Sequence, residues 1–269
     1  MKAIKFAMVQ MDIIHGDIDA NENHVTTLLD DVEKHGADLV VFPELWNTGY
    51  DLERLDFLRC RSEQSMKFLR QQAKDRHIMI VGGSIPEKKD GVFYNMCPVI
   101  TELGTVAGKY RKAHLFPLAL HEHRYFSPGS EWGIVETEKF TLGTMLCYDL
   151  RFPELCRNLV LRGANLIVVP AQWPAARENH WRVLLQARAI ENQAFLLGVN
   201  RIGRDDNGLI YHGHSMAVAP DGTILAEGQD REEILYGEID FSKVTEVSHK
   251  IPVFADRKNI LDEIDNSYL

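Results

Sequence analysis

The chain has 269 residues, 45% of them hydrophobic, with 30 lysines and arginines against 39 aspartates and glutamates for a net charge of -9. That length can bury one substantial core, and no linker divides it, so a single domain over residues 1–269 is expected. The acidic balance, with no Lys/Arg block to offset it, argues against a nucleic-acid partner, and no apolar run reaches the ~20 residues of a membrane-spanning helix, so no membrane partner is expected.

Ile4 to Val9 reads as an opening strand. Val25, Leu28, Leu29 and Val32 then recur at helical spacing, with Gly36 as the stop. Asp38 to Phe42 returns to strand and ends at Pro43-Glu44. A second helix is predicted from Glu63 to His77, then a strand over Ile78 to Val81 that Gly82-Gly83 closes tightly. Phe93 to Thr101 and Thr105 to Tyr110 form a strand pair joined at Glu102 to Gly104. His114 to Gly133 is irregular and reads as a long loop, a feature that is disproportionately functional in compact domains. Leu142 to Leu146 is a short apolar strand, and Pro153 opens a helix whose stripe is Cys156, Leu159 and Val160. Leu166 to Val169 is a buried strand ended by Pro170.

From Glu178 to Gln193 a helix places Trp181, Leu184, Leu185 and Ala189 on one face. Arg188 shares that face and needs a buried partner, because an unpaired guanidinium there is costly. Phe195 to Val199, Met216 to Ala219, Thr223 to Glu227 and Ile234 to Ile239 complete a strand-rich second half, with Asp221-Gly222 as a hairpin turn. Strands with helices interspersed, then hairpins, predict mixed α/β.

Three stretches carry candidate chemistry. Cys147, in TMLCYDLRFPE, stands at a strand-to-helix turn, which holds a side chain rigidly while leaving it open to a ligand. Alone it would more often be a small buried hydrophobe. Glu44, in VVFPELWNTGY, follows a strand that Pro43 cannot continue, although a lone Pro-Glu is ordinarily a solvated loop. Lys112, in GKYRKAHLF, sits beside Lys109 and Arg111, a cluster ordinarily assigned to wet surface. His114, His121 and His123 match no zinc spacing with Cys147, so no metal is expected. Gly82-Gly83 and Gly203 form no phosphate-binding GxGxxG, so no cofactor is expected. A redox thiol would want a second cysteine in CxxC spacing, which Cys147 lacks.

Taken together, and in the chain order Glu44, Lys112, Cys147, the three motifs resemble the carbon-nitrogen hydrolase (nitrilase) superfamily, from about Ile4 to Asp240. The resemblance implies a four-layer α-β-β-α sandwich of two mixed sheets, dimerised through a helical face, so the expected partner is a second copy in a homodimer or higher homo-oligomer. It also implies a Glu-Lys-Cys triad. Cys147 would be the nucleophile that forms a thioester, and Glu44 the base that later activates water. Lys112 would stabilise the oxyanion, assisted by the backbone N–H of Tyr148. Glu122, in LHEHRYFSPG, matches the family's frequent fourth polar residue, with a surface loop carboxylate as the alternative.

The segment AQWPAARENHWRVLLQARAIENQAFLLGVNRIG, with CYDLRFPE, resembles the omega-amidase branch, which releases ammonia from 2-oxoglutaramate and similar small amides. Such a substrate carries a carboxylate away from the scissile bond. Arg177, in the loop after Trp173-Pro174, is the first candidate to clamp it, and Arg151 the second, with a structural ion pair to adjacent acidic residues expected for Arg151. Trp46, Tyr50 and Trp173 are candidates to wall the pocket or to pack a core edge. The alternatives are another linear-amide or N-carbamoyl hydrolase of the same superfamily, or a silent binding homologue, which the intact Glu44, Lys112 and Cys147 argue against. The N-terminal stretch lacks a secretory pattern, and Cys60, Cys97, Cys147 and Cys156 lack disulfide-scaffold density, so a cytoplasmic location is expected.

Overall fold

The computed structural model describes residues 3–118 and 120–258; the side chains of 59–62 are set aside, so Cys60 lies outside the described residues. Alternation in β1 (Ile4–Gln10) turns Phe6 and Met8 into one core and Ala7 and Val9 into another. A strand buried on both faces needs a covering layer on each. On one side that layer is α1 (Ile18–His35) with a later helix. Asp17 caps α1 by accepting from the Ala20 N–H, and Gly36 ends it at φ 65°, a left-handed value that glycine adopts without strain.

The first half continues through β2 (Leu39–Val41), α2 (Leu55–Arg76), β3 (Met79–Val81), β4 (Ile85–Lys89), β5 (Val92–Ile100) and β6 (Val106–Arg111). These strands, with one from the C-terminal part, make a seven-stranded mixed sheet. β1, β2 and β3 run parallel, and β5 pairs antiparallel with β3, β4 and β6.

A second sheet starts from β7 (Ile134–Glu136) and β8 (Thr141–Thr144). It continues, after α3 (Pro153–Leu161), through β9 (Leu166–Ala171), α4 (Glu178–Asn192) and β10 (Phe195–Asn200). β11 (Ile202–Arg204) and β12 (Ile210–His212) form a separate hairpin. β13 (Met216–Val218) and β14 (Ile224–Glu227) complete the second sheet in the order β14-β13-β10-β9-β8-β7. β15 (Glu233–Ile239) returns to pair antiparallel with β1, and α5 (Ser242–Lys250) and α6 (Val253–Asp256) follow.

The layers follow from which residues share a core. Val25, Leu29 and Val32 of α1 and Leu69 and Ala73 of α2 pack on Ala7, Val9, Val40 and Ile80. Phe6, Met8, Val41 and Val81 instead join Leu142, Val168 and Leu197 of the second sheet, so the two sheets face each other. α3 and α4 cover the far face with Leu155, Leu159, Trp181 and Leu185. Gly198 permits that close approach, since a Cβ there would stand 2.6 Å from Leu185 and 2.9 Å from Trp181. The result is the α-β-β-α sandwich that the resemblance implied. Among the described residues no helix is long and apolar enough to cross a membrane.

Several elements differ from the sequence reading. α2 begins at Leu55, not Glu63, because Leu52, Leu55 and Leu58 are buried and anchor its polar first turns. Pro170 lies inside β9 and does not end it. Its neighbour β8 stops pairing at Val168, so the missing N–H costs no ladder bond on that side. β4, β7, the β11-β12 hairpin, α5 and α6 were not anticipated.

Candidate active site

The candidate side chains leave the C-terminal ends of strands from both sheets. Glu44 follows β2, Lys112 follows β6 and Cys147 follows β8. Lys112, Glu44 and Glu122 are all completely buried. The Lys112 ammonium donates to Glu44 Oε1 at 2.8 Å and to Glu122 Oε2 at 2.8 Å. Asn95 Nδ2 lies across the same pair, donating to Glu44 Oε1 and Glu122 Oε1, both at 2.8 Å. The Phe116 N–H gives Glu122 Oε2 a further donor at 2.8 Å. Lys109 and Arg111, by contrast, turn to Glu87 at the surface. Glu122 is therefore a buried partner of the lysine, and the surface reading of it is set aside.

Burial alone would favour a neutral lysine, but the carboxylates of Glu122 and Glu44 outweigh it and raise the Lys112 pKa above its ordinary value. Burial, against the pull of Lys112 and with the like charge of Glu44, raises Glu122 above the usual carboxylate range.

Cys147 opens a short 3-10 turn, Cys147–Arg151, at φ 44°, and its side chain is buried. A non-glycine residue at positive φ is held there by its surroundings. Arg188 of α4 supplies part of that hold: Nε and Nη2 donate to the Leu150 carbonyl at 3.2 and 3.0 Å. The buried partner that Arg188 needed is thus the backbone of this turn. The first hydrogen bond inside it runs from Asp149 N–H to Leu146 O, so the N–H groups of Cys147 and Tyr148 precede it and are not consumed by it.

Gln172, one residue past β9, links the thiol to Glu44. Its N–H donates to Glu44 Oε2 at 3.0 Å and its Nε2 to the Glu44 carbonyl at 2.8 Å. Its own carbonyl lies 3.7 Å from Cys147 Sγ, and Arg201 Nη1 donates to its Oε1 at 3.1 Å. Burial raises the Cys147 thiol well above its ordinary pKa, the Glu44 charge adds to this, and Lys112 opposes it. The resting sulfur is a neutral thiol, joined to Glu44 through the backbone of Gln172.

The sequence profile of the carbon-nitrogen hydrolase family matches residues 5–249. This chain belongs to the carbon-nitrogen hydrolase family. It is 41% identical to the 2-oxoglutaramate amidase of Bacillus subtilis, over 94% of this chain and 97% of that one. Its fold is similar to a Xanthomonas campestris CN-hydrolase superfamily protein solved with an arsenic adduct in the active site, with a TM-score of 0.90, 30% identity, and coverage of 97% and 99% of the two chains. A mutant of the amidase from Nesterenkonia sp. AN1, showing covalent addition of the acetamide moiety of fluoroacetamide at the active-site cysteine, is also similar, with a TM-score of 0.85, 25% identity, and coverage of 95% and 94%.

In this carbon-nitrogen hydrolase Cys147 faces a cavity of about 340 Å³, mouth included, lined by Tyr50, Phe116, Tyr148, Arg151, Trp173 and Arg177 among others. Tyr50 and Trp173 stand in its wall. Trp46 does not: its ring is completely buried between Phe42 and Phe68 and its Nε1 donates to the Gly82 carbonyl, so it packs the helix-covered face of the first sheet. Arg151 also differs from expectation. Its acidic neighbour Asp149 is taken up by Tyr110, His114 and Leu146, and Arg151 instead stacks over Trp173 at 4.5 Å and meets His180 at 3.3 Å. Arg177 lies over the Phe116 ring at 5.9 Å. Among the described residues neither guanidinium has a carboxylate partner. Burial, and after it the repulsion of Arg177, lowers the Arg151 pKa.

The histidines weighed for a metal lie apart in role. His114 is bound to Asp149, while His121 and His123 meet edge to face. Sequence reasoning missed Asn95, Gln172, Asp149 and Arg201. Asn95 alternates inward on a strand, which is the one signal that pointed to it; single polar residues past β9 and β10 carry none.

Proposed function

We propose that this carbon-nitrogen hydrolase cleaves a small carboxylate-bearing amide of the 2-oxoglutaramate type to acid and ammonia through a thioester on Cys147. The observation that carries this reading is the ammonium of Lys112, lodged between the buried carboxylates of Glu44 and Glu122, with the backbone of Gln172 joining Glu44 to the Cys147 thiol. An amide is a poor electrophile, so the site must supply a strong nucleophile, charge stabilisation and a proton for the departing nitrogen.

In this reading Glu44 takes the thiol proton as the sulfur attacks the carbonyl carbon, forming the carbon-sulfur bond. The carbonyl π electrons move to oxygen, where the Lys112 ammonium and the Tyr148 N–H receive the charge. Collapse of the tetrahedral species breaks the carbon-nitrogen bond, and Glu44 gives its proton to the leaving ammonia. The same carboxylate then takes a proton from water as it attacks the thioester. The second collapse releases the acid and returns the proton to sulfur. Lys112 stays charged throughout, as its raised pKa requires.

The guanidiniums of Arg177 and Arg151, without a carboxylate partner among the described residues, support a substrate carboxylate at the cavity wall, Tyr50 and Trp173 form its sides, and the relative named 2-oxoglutaramate amidase supports the substrate class. Wild type should release ammonia from 2-oxoglutaramate and succinamate, and Cys147→Ala should not; equal rates in the two would overturn the hydrolase site. Arg177→Ala should raise KM for these substrates about 10-fold to 100-fold, the size of a lost charge-assisted pair, and leave neutral amides unaffected. Equal impairment of both kinds of amide would remove the clamp.

A cytoplasmic homodimer completes the proposal. The buried, unbridged thiols of Cys97, Cys147 and Cys156 fit a reducing compartment. Leu161, Val183 and Ile190 leave apolar surface exposed on α3 and α4, in keeping with a helical face meeting a second copy.

A further inference from the structure

Asp149 takes no part in the steps above, yet its carboxylate is completely buried and bonded on both oxygens. Oδ2 accepts from the Tyr110 hydroxyl at 2.7 Å and from the Leu146 N–H at 3.0 Å. Oδ1 accepts from the His114 N–H at 2.9 Å and lies 2.7 Å from His114 Nδ1. Tyr110 and His114 flank Lys112 on its two sides, while Leu146 and Asp149 bracket Cys147. One carboxylate therefore ties the segment carrying the ammonium to the turn carrying the thiol, through both flanks of each.

Other contacts close the same joint. The His114 ring stacks on Phe152 at 3.6 Å and 9°, and the Tyr110 hydroxyl accepts from the Ala113 N–H at 3.2 Å, next to Lys112. A positive φ at Cys147 persists only where its surroundings over-determine it, and Asp149 closes the turn around it by bonding Leu146 through both its side chain and its N–H.

We propose that Asp149 is a positioning residue that sets where the Lys112 ammonium stands relative to the Cys147 thiol, and so how well the oxyanion formed on the carbonyl oxygen is stabilised when that sulfur attacks. This rests on the thioester reading above. The leverage is geometric: donors to an oxyanion act within a few tenths of an ångström of their best distance, and a 1 Å misplacement costs on the order of 100-fold in rate. Asn at this position keeps the shape but turns one acceptor into a donor that faces other donors, which releases one flank.

The test compares two reactions of the same sulfur. Amide hydrolysis passes through an oxyanion, whereas alkylation by iodoacetamide forms a carbon-sulfur bond, expels iodide, passes the thiol proton to Glu44 and forms no oxyanion. In Asp149→Asn, kcat on 2-oxoglutaramate should fall about 100-fold with KM and the Cys147 alkylation rate both within about threefold of wild type. Tyr110→Phe, which removes one donor from one flank, should show the same split with a loss of about 5-fold to 10-fold, and it carries the test alone if Asp149→Asn does not fold. Parallel losses of kcat and alkylation, or a kcat within about threefold of wild type, would overturn the positioning role. Ammonia release by Cys147→Ala would instead remove the thioester reading, so the two failures are distinct.

Discussion

Replacing Lys112 with methionine would leave the buried carboxylates of Glu44 and Glu122 facing each other without their shared cation. Removing one member of a buried ion cluster costs about 3–5 kcal/mol, so Lys112→Met should lower the urea unfolding free energy by that amount as well as abolish turnover. A variant as stable as wild type would show that the cluster is not ionised as drawn. The neighbouring thiol makes a second prediction. Burial first, and the Glu44 charge second, hold Cys147 above its ordinary value of 9.0. The thiolate absorbance at 240 nm, taken as wild type minus Cys147→Ala, should stay flat from neutral pH to about 9. A step near neutrality would mean that a resting thiolate does the attacking. Glu44, Lys112 and Cys147 were legible in the sequence because each lies in a run of distinctive neighbours. Asn95 and Gln172 were not, since one amide among apolar residues looks the same whether it faces a carboxylate or water. Of the two places the sequence left open to Trp46, the core edge is the one it takes; spacing along a chain does not say which side of a turn meets the cavity.

At the scale of elements, the site depends on turns that hold the strand ends apart by fixed amounts. Gly83 follows β3 at φ 60°, and a Cβ there would stand 2.0 Å from the Pro43 carbonyl, the residue that carries Glu44. Gly83→Ala should cost about 1–3 kcal/mol in strain alone and reduce kcat by displacing Glu44. Unchanged stability and activity would show that this turn does not set the carboxylate's position. The strands whose extent matches the sequence reading, such as β1 and β10, are largely apolar runs bounded by turn residues. Those that were missed have another origin. β4 reads IPEKK, polar at its exposed end, and exists because β5 offers it a partner; β7 is three residues held by β8. Such edge strands are made by pairing, and their own sequence carries little sign of it.

Across the whole molecule, the described thiols are all buried, and burial pushes each of them up, Cys156 to about 12. Between their ordinary and folded values the unfolded chain has released protons that the native state retains, so stability must fall as pH rises. Each such thiol contributes about 1.4 kcal/mol per pH unit. Lys112, also raised above its ordinary 10.5, adds to the loss in the same direction once pH passes that value. The melting temperature should hold from neutral pH to about 9 and then drop steeply; a flat profile to pH 11 would contradict the burial of these groups. The four layers were legible only through likeness to a family, because a period-2 pattern cannot say that two sheets meet face to face. In the proposed reaction an acyl group is transferred to Cys147. Rapid-quench mass spectrometry of wild type turning over 2-oxoglutaramate should find a transient adduct on the Cys147 peptide, equal in mass to substrate minus ammonia and formed at least as fast as turnover. Full-rate ammonia release with no adduct on that peptide would contradict the account.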